Sequence, residues 1–100
     1  MITHNKKITQ SAKGENCTIR LPMICSGNNE TTVLAHLNGI RFGHGVAIKV
    51  SDRHAAYACS ACHDAVDGRI KTNYSQDYIK RAFLEGVIET QIKLERKGLL

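Results

Sequence analysis

At 100 residues the chain has room for one domain, whose core alone leaves little margin of stability. Fourteen Lys and Arg against nine Asp and Glu give a net charge of +5 and a pI near 9.2, which favours a polyanionic partner. No apolar run approaches the roughly 20 residues that a membrane span requires, so no spanning helix is expected.

Residues 1–16 are polar, carry Lys6, Lys7 and Lys13 and lack periodicity, which predicts a flexible basic arm. They also lack the apolar core of a signal peptide, so the chain is expected to stay in a reducing cytoplasm. The domain proper then runs over 17–100. Thr18 to Ile24 alternates apolar and polar residues at first and reads as a short strand that Pro22 ends or places at an edge. Asn28 to Thr31 reads as a turn, and Thr32 to Leu37 as a second strand with His36 near its end. Glycines 39, 43 and 45 make the next stretch a loop, since three glycines in seven residues make a regular element costly. Ala47 to Val50 suggests a further short strand and Ser51-Asp52 a turn. Ala55, Ala56 and Tyr57 are expected as packing residues ahead of Cys59. A short helix follows from Ser60 or Cys62 to Asp67 or Arg69, closed near Gly68. The last element is the clearest: with Ser75 as N-cap and Asp77 in the first turn, Gln76 to about Lys97 should form one helix. Its apolar stripe would hold Ile79, Phe83, Val87, Ile88 and Ile92 or Leu94, with Gly86 marking a close approach.

The chemistry gathers around Cys59-Ser-Ala-Cys62-His63-Asp64. Two thiols spaced Cys-x2-Cys can grip one metal ion from a tight turn, and Cys17 and Cys25, the only other cysteines, would close a tetrahedral all-thiolate zinc site. The wider Cys17-x7-Cys25 spacing requires a longer hairpin, for which Pro22 and Ser26-Gly27-Asn28-Asn29 supply turn residues. Free thiols, disulfides and an iron–sulfur cluster are the alternatives. A structural zinc would contribute stability comparable to that of the whole domain.

His36 at a strand end, followed after a loop by the Cys59–Cys62 pair and His63 at a helix start, resembles the HNH endonucleases, also called His-Me or ββα-metal finger nucleases. More closely, the chain is similar to a family of small phage and prophage nucleases, the YbcO family. That likeness is carried by Glu15-Asn-Cys17 through Cys25-Ser-Gly-Asn28, Glu30 to His36, Ala58 to Asp64 with Asp67, and Leu84 to Gly86. It implies an α+β fold, a small zinc-stabilised ββα-metal core with a long C-terminal helix. It also implies a phage or prophage gene product in a bacterial host, acting as a metal-dependent endonuclease on DNA. In that reading His36 matches the general base, a role suited to an imidazole near neutral pH. His63 matches the ligand of a catalytic Mg2+ or other divalent ion, and the four cysteines match a structural zinc. Where many such sequences carry an acidic ligand just before the base, this chain has Ala35. The middle Asn of the motif has no counterpart, with His54 at about that place and Asp52 two residues earlier. Asp52 or His54 would then orient His36 or complete a metal shell, with Asp64 a further supporting candidate. Arg41, His44, Lys49 and Arg53 are candidates for phosphate contact. The competing reading is a zinc-knuckle module that binds nucleic acid or protein without catalysis.

Overall fold

The computed structural model describes residues 5–37 and 51–100. The expected glycine loop and the strand at 47–50 lie outside the described residues, as do His4, Arg41, His44 and Lys49.

The centre of the fold is a two-stranded antiparallel sheet of β1 (Val33–His36) and β2 (Ala55–Ala58). Val33 pairs with Ala58 and His36 with Ala55. All four residues of β2 are buried, so β2 shows none of the apolar–polar alternation that would mark a strand in the sequence. Its alternation is instead between two cores. Ala56 and Ala58 pack with Ala35, Leu37, Ile19, Leu21, Phe83 and Val87, whereas Ala55 and Tyr57 pack with Leu34, Ile8, Ala12 and Leu94 on the opposite face.

The second core corrects the expectation of a flexible arm, because Lys6–Ser11 form helix α1. Asn5 caps it, its side chain accepting from the Lys7 amide at 2.8 Å. Ile8 and Ala12, one turn apart, are completely or almost completely buried. Two apolar residues in a polar stretch are too few to register as periodicity, yet they suffice to dock six residues of helix.

The strand expected at 18–24 does not form. Ile19 and Leu21 do face the core, as their alternation implied, but Arg20 and Met23 have φ of 50° and 65°, which a strand cannot accommodate. The segment instead covers the free edge of β2. Thr18 donates its amide and hydroxyl to the Tyr57 carbonyl at 2.8 and 2.9 Å, and the Tyr57 amide donates to Thr90 Oγ1 at 3.0 Å. The two threonine hydroxyls meet at 3.2 Å, closing a buried polar node.

Helix α2 (Ser60–Val66) follows β2 directly, and α3 (Gln76–Arg96) packs against β2. Ser75 caps α3 as expected, accepting from the Tyr78 amide at 3.1 Å. Its buried stripe is Phe83, Gly86, Val87, Thr90 and Leu94. Ile88, expected to face inward, is exposed together with Leu84, and of the alternatives Ile92 and Leu94 it is Leu94 that turns inward. Gly86 is the predicted close approach: a Cβ there would lie 3.0 Å from Thr18 Oγ1 and 3.3 Å from the Thr18 carbonyl carbon.

Candidate metal centre and histidine–aspartate dyad

The four cysteines converge from three places: the loop after α1, the turn before the short 3-10 segment at Asn29–Thr31, and the junction of β2 with α2. Their sulfurs all lie within 4.8 Å of one another, the one such gathering of three or more His, Cys, Asp or Glu ligands among the described residues. The cysteines are not disulfide-bonded. Cys59 and Cys25 sulfurs stand 3.8 Å apart. A tetrahedron with zinc–sulfur bonds of about 2.3 Å has an edge of about 3.8 Å, so the donor set fits a tetrahedral thiolate-bound ion such as zinc.

The local backbone is arranged for thiolates. The Cys62 amide donates to Cys59 Sγ at 3.4 Å, so Cys59 is both cap of α2 and ligand candidate. The Arg20 amide donates to Cys17 Sγ at 3.5 Å, and the positive φ of Arg20 belongs to that turn. A hydrogen bond from the Cys62 thiol, opposed by burial and aided by the Arg20, Cys59 and Ile19 amides, pushes Cys17 down to about 4. The same bond, then burial, pushes Cys62 up. Burial raises Cys25. Burial also works against ionisation of Cys59, but the Cys62 and Ser26 donors outweigh it and leave that thiol below its ordinary value. Thiols this close share protons, and a cation that replaces those protons relieves the crowding.

His36 sits at the other end of the sheet. Its register partner is Ala55, three residues from Ala58 and so about 10 Å along the strand from the cysteine end. His36 Nε2 lies 2.8 Å from Asp52 Oδ1. The imidazole is 35% exposed and the carboxylate only 5%. Asp52 opens a one-turn 3-10 segment, Asp52–His54, capped by Ser51. The carbonyl of His54 accepts from the Leu37 amide at 2.8 Å, which ties that segment to the end of β1. The second Asp52 oxygen accepts from the Asn5 amide at 2.7 Å. Arg53 is exposed, its carbonyl held by Gln91 at 2.6 Å.

His63, in the last turn of α2, has a different partner: its Nε2 is 3.1 Å from Asp67 Oδ2. Arg69 bridges the same carboxylate at 3.2 Å and Asp64 at 3.1 Å. The two histidines thus take separate carboxylates. Asn5 and Arg69 were missed in the sequence. Asn5 was visible only as a residue type favoured at an N-cap, and nothing in the sequence pairs it with Asp52.

A family model described as "Putative nuclease YbcO" matches residues 6–99. The chain belongs to the YbcO family. It is 40% identical over 96 residues to a protein of Escherichia coli (strain K12) called "Putative nuclease YbcO", covering 93% of this chain and 95% of that one. A protein of Enterobacteria phage 82 with the same description matches to the same extent. Among solved structures, one described as a putative bacteriophage protein from Escherichia coli K-12 MG1655 superposes with a TM-score of 0.76 at 38% identity. That match covers 90% of this chain and 98% of that one. The YbcO match reaches back through α1, consistent with its docked position. No helix among the described residues is long and apolar enough to cross a membrane.

Proposed function

We propose that this protein is a metal-dependent DNA endonuclease of the HNH type, with His36 as general base and the four cysteines as a structural zinc site. The observation that carries the reading is the His36–Asp52 pair: a partly exposed imidazole oriented by a buried carboxylate at 2.8 Å. With Nε2–H donated to Asp52, Nδ1 keeps the lone pair. Nδ1 would take a proton from water as the water oxygen attacks phosphorus, and the bond from phosphorus to the 3′ oxygen breaks. The family of relatives described as nucleases and the net charge of +5 support a nucleic-acid substrate.

Zinc would be held by Cys17, Cys25, Cys59 and Cys62, fixing the β2–α2 junction to the loop after α1. A Mg2+ or other divalent ion would fall to His63, and it would supply charge stabilisation at the phosphate. For that ion the described residues offer a two-donor fragment, His63 with Asp67. Asp64 is committed to Arg69, and Arg53, with Arg41, His44 and Lys49, stays a candidate phosphate contact.

A second reading has its own observation. Ala35, where many HNH sequences carry an acidic ligand, is buried at 1% exposure, and the cysteine cluster is the one multi-ligand gathering among the described residues. Both favour a zinc-stabilised binding module without catalysis. Supercoiled plasmid incubated with zinc-loaded protein and Mg2+, Mn2+ or EDTA separates the readings. Divalent-dependent nicking is the outcome expected of the nuclease, whereas retention of DNA with no cleavage under any metal identifies the binding module.

A further inference from the structure

The Asp52 carboxylate has two oxygens and they face different parts of the chain. Oδ1 meets His36, while Oδ2 accepts from the main-chain amide of Asn5, 47 residues away, at 2.7 Å. Asn5 immediately precedes α1 and caps it. The helix is in turn anchored beneath the sheet by Ile8 and Ala12, by the Ser11 hydroxyl against Tyr57 Oη at 2.7 Å, and beyond its end by Glu15 against Lys97 at 2.6 Å. A chain of fixed contacts therefore runs from the second core, through α1, to the far side of the carboxylate that holds the imidazole.

We infer that α1 is a positioning device for His36: the Asn5 amide fixes the Asp52 carboxylate, and the carboxylate fixes the ring and its tautomer. The inference rests on the reading of His36 as base. Several features set this contact apart from an incidental one. A charge-assisted hydrogen bond to a carboxylate is roughly twice as strong as a neutral one. The Asp52 side chain is almost fully buried, so solvent is poorly placed to substitute for a main-chain donor to its carboxylate. The donor is main chain, so its position depends on the docking of α1 and not on a rotamer. Asn5 is a positioning residue; it touches no reacting atom.

The amide can be removed in two ways within the full chain. Asn5→Pro deletes the N–H, and Lys6→Pro is its control, since proline is well tolerated at the first helical position and leaves the Asn5 amide in place. Because the backbone at Asn5 has φ of −143°, which proline cannot adopt, a second variant replaces the amide of Asn5 by an ester. It is made by joining a synthetic 1–16 segment to Cys17, and it removes the donor without changing shape. Two readouts are taken at matched zinc content: the His36 ring nitrogen shifts, which report the tautomer, and the kcat and KM of plasmid nicking. The expected result is a mixture of His36 tautomers and a fall in kcat of roughly 10-fold with KM little changed in both variants, and wild-type behaviour in Lys6→Pro. Wild-type ring shifts and kcat in the ester overturn the inference. If the wild-type protein nicks no DNA, the nuclease reading fails, and the ring shifts alone decide whether α1 governs His36.

Discussion

The cysteine cluster and the His36–Asp52 pair lie at opposite ends of one short sheet and are built on different principles. The cluster is assembled by residue type: four mostly buried thiols with backbone N–H donors, in a place where few other side chains could serve. The pair is assembled by position. Histidine and aspartate are common residues, and what distinguishes this pair is that β1, the 3-10 segment and α1 bring an imidazole, a buried carboxylate and a main-chain amide together. One end should therefore govern whether the chain folds, and the other what it does once folded.

Breaking the cluster should have the largest effect. Cys62→Ser, or chelation of the wild type, is expected to abolish bound zinc and cooperative thermal unfolding together, since structural zinc contributes on the order of 10 kcal/mol and a domain this size has little more in total. Metal analysis and circular dichroism melts check this; a sharp native transition in metal-free protein would contradict it. Asp52→Asn comes next. It keeps the shape of the side chain but removes its charge and so weakens its hydrogen bonds to the His36 ring and the Asn5 amide, and should lower nicking about 10-fold to 100-fold with one zinc per chain retained.

How much of this could be read in the sequence follows the same division. The four cysteines and α3 were legible because their signals are local or chemically distinctive: a Cys-x2-Cys pair, a serine cap, a 3.6-residue period. β2 was not, because a strand buried on both faces carries no alternation, and Ala55 to Ala58 reads equally well as filler. α1 was hidden because its burial rests on Ile8 and Ala12 alone, and the polar residues around them dominate the composition. At 18–24 the alternation of Ile19 and Leu21 was real, but the turn that aims backbone amides at Cys17 overrides strand geometry. The pairing of His36 with Asp52 depends on the short 3-10 segment that places the carboxylate, which no sequence pattern resolves.

Two smaller changes test the scaffold between the ends. Gly86→Ala replaces a helical glycine, which alone would stabilise by about 1 kcal/mol. The new Cβ, however, meets the backbone of Thr18 at 3.3 Å and its hydroxyl at 3.0 Å, in the segment that also covers the edge of β2 and leads from Cys17. Net destabilisation of about 1 kcal/mol is expected in denaturant melts; a more stable variant would mean that the segment yields freely.

The smallest effect concerns the anchor of α1. A hydrogen bond from Lys97, opposed by burial and reinforced by the charges of Lys97 and Lys93, holds the Glu15 carboxyl below its usual value. Its contribution is therefore present above the unfolded pKa of about 4.5 and is lost as pH falls through the lower, folded value. Glu15→Gln should cost about 0.5 kcal/mol at pH 7, as expected of a largely solvent-screened pair, and nothing once both states are protonated in strong acid. Melts at the two pH values check it.

The most direct test of the division between a folding end and a chemical end is His36→Ala, with plasmid nicking and zinc content measured on the same preparation. Nicking should fall by ~10² to 10⁴ while zinc content and the melting transition stay those of the wild type. Loss of zinc in parallel with activity, or nicking unchanged, would contradict it.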